Sequence, residues 1–259
     1  MNSHYDPELY DLVTGGAVGG DVDWYLRKAQ ACGGLVLELG AGTGRIALAL
    51  ARGGVMVHAL DSDPGMLALL RQKISDQPSE VQQRIVTIEG DMRAFHVAER
   101  FALVIAPFRA LLHNLTEDEH SACFRCVRQH LRENGQFAFN VFHPSLEFMA
   151  QNAGSLAGVW RWGATFAGKN GAVIMRSEAN RYDTVRRRVH SQHRYEEYGP
   201  DGALTRTFLH RLELSYLYPS DIRRLLGETG FQSVQIWGGF DGRPFERDTD
   251  ELVVEAVRD

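Results

Sequence analysis

Glu38, Gly40, Gly42 and Gly44 stand at alternate positions, and Asp61 follows at about the 20-residue interval that separates a glycine loop from a ribose-binding acid. Glycines in this pattern allow a tight turn and let a ligand approach the backbone closely. Together these residues describe a site for a nucleoside-bearing ligand. Two chemistries are compatible with it. Gly42-Thr43-Gly44-Arg45-Ile46-Ala47 meets the G-x-G-x-x-G/A pattern of a dinucleotide site on paper, but it begins late, past the end of the expected strand. A pyrophosphate would also be repelled by Glu38, whereas a ligand carrying positive charge would be attracted by it. A merely structural corner would account for the glycines but not for Asp61.

The string Glu38-Leu39-Gly40-Ala41-Gly42-Thr43-Gly44 resembles motif I of the class I S-adenosylmethionine-dependent methyltransferases. That cofactor has no phosphates and carries an ammonium and a sulfonium, which fits the acid beside the glycines. The resemblance spans nearly the whole chain, strongly over residues 35–142 and loosely over 145–218. It implies S-adenosyl-L-methionine as cofactor, contacted by Glu38, Gly40, Gly42, Gly44, Asp61, Ser62 and Met66. It also implies Asp91 as acceptor of the adenine amino group, Met92 on the ring, Ala106 and Pro107 near the methyl group, and Tyr10 from an N-terminal aromatic arm that closes over the cofactor. A packing helix covering the sheet is the other reading of that arm.

The same resemblance places the acceptor near Phe108, Arg109, His143, His210 and Tyr216. His113, His143 and Tyr10 are candidate bases by their placement near strand ends. His113 is favoured because relatives often carry His-Leu just after this loop, although here Asn114 follows. A lone histidine is also commonly a structural hydrogen-bonding group. Arg109 would bind an acidic group on the acceptor or face solvent. Ala106-Pro107-Phe108-Arg109 is not the Asn/Asp-Pro-Pro-Tyr loop of amino-methylating DNA and glutamine enzymes, and no Pro-Cys pair supplies a cytosine-C5 nucleophile. A small-molecule acceptor, by resemblance an amine, is the remaining default. A catalytically silent S-adenosylmethionine-binding protein and an NAD(P)-dependent oxidoreductase are the competing readings.

The elements that must position these groups follow from hydrophobic patterning. Leu35–Leu39 and Val55–Leu60 read as buried parallel strands around a helix over Ile46–Ala51, with Asp61 at the second strand's C-terminal end. Asp63-Pro64 fits the N-cap and N1 of a second helix, Ser75–Gln83 a loop, and Arg84–Glu89 and Phe101–Ala106 the next strands. Thr116-Glu117-Asp118-Glu119 is a capping box opening a helix to about Arg132. His120, Cys123, Cys126 and His130 lie on that one helix, where they could not close around one ion, so no metal is expected. Gln136–Phe142 reads as the fifth strand.

Residues 145–218 break the βα rhythm. Ala172–Arg181, Val185–Tyr198 and Leu204–Leu217 read as long antiparallel strands separated by turns, with Trp160 and Trp162 preceding them. In this register Arg187 points away from Arg186 and Arg188, so the arginine run would form no single patch. A helix from Pro219 and strands over 231–237 and 251–257 complete the chain. The fold class expected is α/β: a Rossmann-like, mostly parallel seven-stranded sheet with a reversed last strand, helices on both faces and an antiparallel β insertion after strand five. We expect a single methyltransferase domain over 1–259, with an N-terminal arm and helix at 1–33, a cofactor-binding core at 34–144, an acceptor-side insertion at 145–218 and the end of the core at 219–259.

Composition limits the alternatives. At 259 residues, 44% hydrophobic and 24% charged, the chain reads as an ordinary globular domain with room for an insertion. A net charge of −5 argues against general nucleic-acid binding. No apolar run approaches the roughly 20 residues of a membrane span, and the N-terminus shows no secretory pattern. Three cysteines do not make a disulfide framework. The expected setting is cytoplasmic; monomer and homodimer are equally compatible with the sequence.

Overall fold

The computed structural model describes residues 6–14 and 19–258. Tyr5 and most of the glycine-rich stretch at 14–20 lie outside the described residues. Two short helices, α1 (Pro7–Thr14) and α2 (Asp21–Cys32), precede the first strand. The core then alternates: β1 (Val36–Leu39), α3 (Arg45–Arg52), β2 (Val57–Asp61), α4 (Pro64–Ser75), α5 (Ser79–Gln82), β3 (Ile85–Glu89), β4 (Phe101–Ala106), α6 (Glu117–His130) and β5 (Leu131–Phe142). After α7 (Leu146–Gln151) come the antiparallel strands β6 (Arg161–Ala167), β7 (Val173–Asp183), β8 (Arg188–Tyr198) and β9 (Leu204–Ser215). The chain returns to the core through α8 (Pro219–Glu228), β10 (Phe231–Trp237) and β11 (Glu251–Arg258).

The main sheet has the order β10-β11-β5-β4-β1-β2-β3, and β11 runs antiparallel to both neighbours. This is the Rossmann-like, mostly parallel sheet with one reversed strand that the sequence leads one to expect. Strands buried on both faces need apolar residues throughout. Accordingly Leu37, Leu39, Val104 and Ala106 join α6 and α8 in one core, while Val36, Leu103 and Ile105 join α2, α3 and α4 in the other. The helices start where their caps dictate. Asp63 accepts from the Gly65 and Met66 amides at α4, and Thr116 and Glu119 form the reciprocal box at α6.

Three expectations need correction. Ser79–Gln82 is a helical turn inside the expected loop. Trp162, expected to precede the antiparallel sheet, lies in its edge strand β6, which pairs along β7. Arg186 and Arg187 lie on the turn before β8 and not within a strand: Arg187 has φ 54° and β8 begins at Arg188. The residues are dispersed by their partners, Asp183 for Arg186, Asp221 for Arg187 and Glu213 for Arg188, and not by strand alternation.

His120, Cys126 and His130 on α6 each make hydrogen bonds with protein groups. His120 Nε2 lies 3.0 Å from Ser215 Oγ, His130 Nδ1 lies 2.8 Å from the Cys126 carbonyl, and Cys126 Sγ donates to the Phe95 carbonyl. No helix among the described residues is long and apolar enough to cross a membrane.

Candidate active site

A cavity of about 1310 Å³ opens at the C-terminal ends of β1, β2 and β4 and runs under the four-stranded sheet. That exceeds the ~300–1000 Å³ typical of a single-ligand cleft, so it has room for two ligands side by side. One wall is the glycine loop with Asp61, Asp91 and the inner face of α1; the other is the concave face of β7, β8 and β9.

The glycines divide their work. A Cβ on Gly44 would lie 2.2 Å from Leu70 Cδ1 and one on Gly40 2.7 Å from Ala110 Cβ, so these two allow helix and loop to close on the strand. A Cβ on Gly42 would meet nothing nearer than Tyr10 Cε1 at 3.9 Å. Gly42 faces the cavity and is where a ligand can approach the backbone. Asp61 ties this loop down: its Oδ2 accepts from the Gly42 amide at 2.7 Å and its Oδ1 from the Asp63 amide at 2.8 Å. Burial is the main influence on Asp61 and raises its pKa, opposed by these amides.

Glu38 lies beneath the loop, 2% exposed. Burial pushes its pKa up to about 8, countered chiefly by Arg45 and the Ala47 amide, and its Oε2 has no hydrogen-bond partner among the described residues. Arg45 is itself held by both oxygens of the buried Asp21 and lies 5.4 Å from the Phe108 ring centre.

The N-terminal helix closes this side. Asp11 accepts from the Thr43 hydroxyl and pairs with Lys73, which also donates to the Thr43 carbonyl. Tyr10 is thereby laid over Gly42, edge-on to Phe108 at 6.4 Å. Its burial raises the phenol to about 12, so Tyr10 stays protonated at neutral pH and does not act as a base in that state.

Beyond β4 the backbone turns through two consecutive left-handed residues, Phe108 (φ 51°) and Arg109 (φ 66°). Such a conformation costs non-glycine residues about 1–2 kcal/mol each and needs support. Asn140, fully buried on β5, supplies it: its Oδ1 accepts from the Phe108 amide at 2.8 Å and the Tyr25 hydroxyl at 3.0 Å, and its carbonyl accepts from the Arg109 amide. Its Nδ2 donates to Glu251, whose carboxylate takes Arg109 bidentately at 2.7 and 3.1 Å. The Arg109 guanidinium is thus engaged within the protein, over the Phe142 ring.

His113 follows on the short helical turn after this loop. Its ring is open to the cavity but enclosed by protein elsewhere, and burial first, then His210, lowers its pKa. His210 and His193 face the same space from the sheet; burial lowers the first and takes the second, with help from Arg176, down to about 4. All three are therefore held neutral at pH 7.

Residues 36–135 match the family model described as a methyltransferase domain. Over 253 residues, 97% of this chain and 95% of the relative, the sequence is 26% identical to a cypemycin N-terminal methyltransferase from a Streptomyces species. The fold is similar to the CcbJ methyltransferase of Streptomyces caelestis, with TM-score 0.75, 26% identity and 94% and 98% of the two chains covered. It is also similar to the S-adenosylmethionine-bound CalS10, an amino pentose methyltransferase of Micromonospora echinaspora, with TM-score 0.73, 19% identity and 100% and 99% covered. The chain is an S-adenosylmethionine-dependent methyltransferase with the class I fold.

The methyltransferase's residues fit that cofactor on two observations: the open approach at Gly42, and the buried Glu38 carboxyl behind the loop, whose Oε2 has no partner among the described residues and suits a cationic ligand. Of the residues singled out from sequence, Tyr10, Gly40, Gly42, Asp61, Ser62, Met66, Asp91, Met92 and Pro107 line the cavity, as do Phe108, Arg109, His113, His143 and His210. Glu38, Gly44 and Ala106 stand behind the wall. Tyr216 is 2% exposed and packs against Tyr182 and Tyr218 without lining the cavity. His143 Nδ1 is 3.0 Å from the Asp248 carbonyl. Asp91 is bound by Arg93, which also reaches Glu119 and holds the Asp91 carboxyl below its usual range.

Sequence reasoning missed Asn140, Glu251, Asp11 and Arg93. Their partners are distant in the chain or, for Arg93, depend on rotamer, so no spacing rule marks them. Asn140 alone carried a signal: a carboxamide inside an otherwise apolar strand needs partners when buried.

Proposed function

We propose that this methyltransferase methylates an amine on a small-molecule or peptide acceptor. The carrying observation is the continuity of the cavity from the glycine loop to the concave face of the antiparallel sheet, with the neutral His113 between them. When bound, S-adenosylmethionine supplies an electrophilic methyl group on a sulfonium. Gly42, Asp61, Asp91 and Met92 would hold it, with Tyr10 closing over them. Residues 145–218 cover the acceptor side, and the concave sheet faces the acceptor. Holding two reactants in line in a dry pocket can contribute on the order of 7–11 kcal/mol. The Asn140-supported loop fixes Phe108 at this junction. His113 takes the proton that an ammonium acceptor must lose to free its nitrogen lone pair, a role worth about 10²–10⁴-fold.

The relatives support an amine: the similar proteins include one named a cypemycin N-terminal methyltransferase and one named an amino pentose methyltransferase. The test is formation of S-adenosylhomocysteine on incubation with S-adenosylmethionine and a panel of amino sugars, peptides with free N-termini and small amines. Turnover confined to amines is expected, with a lower kcat and little change in either affinity for His113→Ala. Cofactor binding without turnover of any amine would support the silent-binding reading and remove this one.

A further inference from the structure

The concave face of the antiparallel sheet is chemically divided. β7, β8 and β9 pair without a shift along this stretch, so Glu178, His193 and His210 stand side by side in one row across the three strands. All three line the cavity, and the His193 and His210 rings lie 6.1 Å apart. His210 is also close enough to His113 to influence its charge, which joins the row to the loop after β4. Further along the same face, β9 presents Leu212 and Leu214, an apolar strip beginning one row beyond His210.

The row carries one carboxylate, Glu178, with the Arg176 guanidinium beside it; burial first, and then that guanidinium, lowers the His193 pKa. Arg176 approaches Glu178 only to 3.6 Å, beyond hydrogen-bonding distance, leaving acceptor capacity on the carboxylate. Arg109 is taken up by Glu251. Glu147 also lines the cavity and accepts from the neutral Gln151 amide at 3.2 Å. Imidazoles without charge can accept N–H hydrogen bonds and do not repel a cation.

We propose that the Glu178–His193–His210 row is the subsite that recognises the acceptor's ammonium, and that the acceptor is an amphiphilic amine whose apolar body lies along Leu212 and Leu214. This rests on the amine reading above and deepens it by naming the residues that read charge and body separately.

The test is calorimetry on the whole protein saturated with S-adenosylhomocysteine, using 4-phenylbutylamine, 4-phenylbutanol and 4-phenylbutyrate at pH 7.5. The probes share one apolar body and differ in charge. The amine is expected to bind about tenfold or more tighter than the alcohol, and the carboxylate weakest. Glu178→Gln should bring the amine down to the alcohol's affinity and leave the alcohol unchanged; Leu212→Ser should weaken all three alike. The charge order in the wild type tests the subsite even if a variant fails to fold. Tightest binding by the carboxylate, equal binding of amine and alcohol, no binding of any probe at millimolar concentration, or an unaltered amine affinity in a folded Glu178→Gln would overturn the proposal. If amines are methylated but the charge order is absent, the subsite falls and the function stands. If the charge order holds but no amine is turned over, the function falls and the subsite stands.

Discussion

Asp61 does two things with one carboxylate, and its substitution should show both. It anchors the Gly42 amide within the protein, and its remaining acceptor capacity faces the cavity where ribose hydroxyls would lie. Each charge-assisted hydrogen bond is worth roughly 1.5–3 kcal/mol, so Asp61→Ala should weaken S-adenosylmethionine binding by at least tenfold by calorimetry. Unchanged affinity would remove Asp61 from the cofactor site. Glu38 permits a different test. Because burial holds its pKa near 8, the protonated form prevails at pH 7, and a cation nearby favours ionisation. Cofactor binding at pH 7 should therefore release a proton from Glu38, and affinity should rise toward pH 8. Calorimetry in buffers of different ionisation enthalpy reads this release. Comparison with Glu38→Gln isolates the carboxyl from the ligand's own α-amino group, which titrates near 7.7–8.0. Equal proton release by both proteins would defeat the assignment.

At the scale of elements, the loop after β4 is held by β5 and β11 and not by its own sequence. Asn140→Ala would leave the Phe108 amide and the Tyr25 hydroxyl without their acceptor and take a donor from Glu251. Unsatisfied buried groups cost about 1–3 kcal/mol each, so melting should fall by several degrees. The Gly42–Asp61 tie does not pass through Asn140, so turnover should drop at least about tenfold while cofactor affinity changes only slightly. Scanning fluorimetry and calorimetry on the same preparation check both. A parallel loss of cofactor affinity and turnover would show that the loop serves the cofactor as much as the reaction.

Across the whole molecule, the antiparallel sheet is joined to the core by titratable groups. His120 on α6 meets Ser215 at the end of β9, and Ser215 Oγ donates to the Leu112 carbonyl beside His113. Burial lowers both His120 and His193 from 6.5 to about 4. A histidine depressed in the folded state stabilises the fold fully above its unfolded pKa, and the contribution is lost as pH falls through the folded value. Stability should therefore decline between pH 6.5 and 4, with up to about 3 kcal/mol of that loss from the fully buried His120. His120→Gln, which cannot titrate, should flatten the decline in urea unfolding measured across this range. An identical slope in wild type and variant would assign the acid sensitivity to other groups.

Adjacent residues with strong local rules were legible from the sequence: the strand, glycine loop and helix at 36–52, the Asp63-Pro64 and Thr116–Glu119 caps, and the long strands of the second sheet. Local backbone sterics and apolar periodicity act over a few residues, and a linear chain displays them directly. The position of β11 between β5 and β10, the pairing of β6 along β7, and the division of the arginine run among Asp183, Asp221 and Glu213 depended on the tertiary structure. So did Asn140 as the support of two strained residues, and the alignment of Glu178, His193 and His210 in one row. Each of these arises where segments distant in sequence meet. Strand register and the satisfaction of buried polar groups are decided there, by packing and burial that no local pattern encodes.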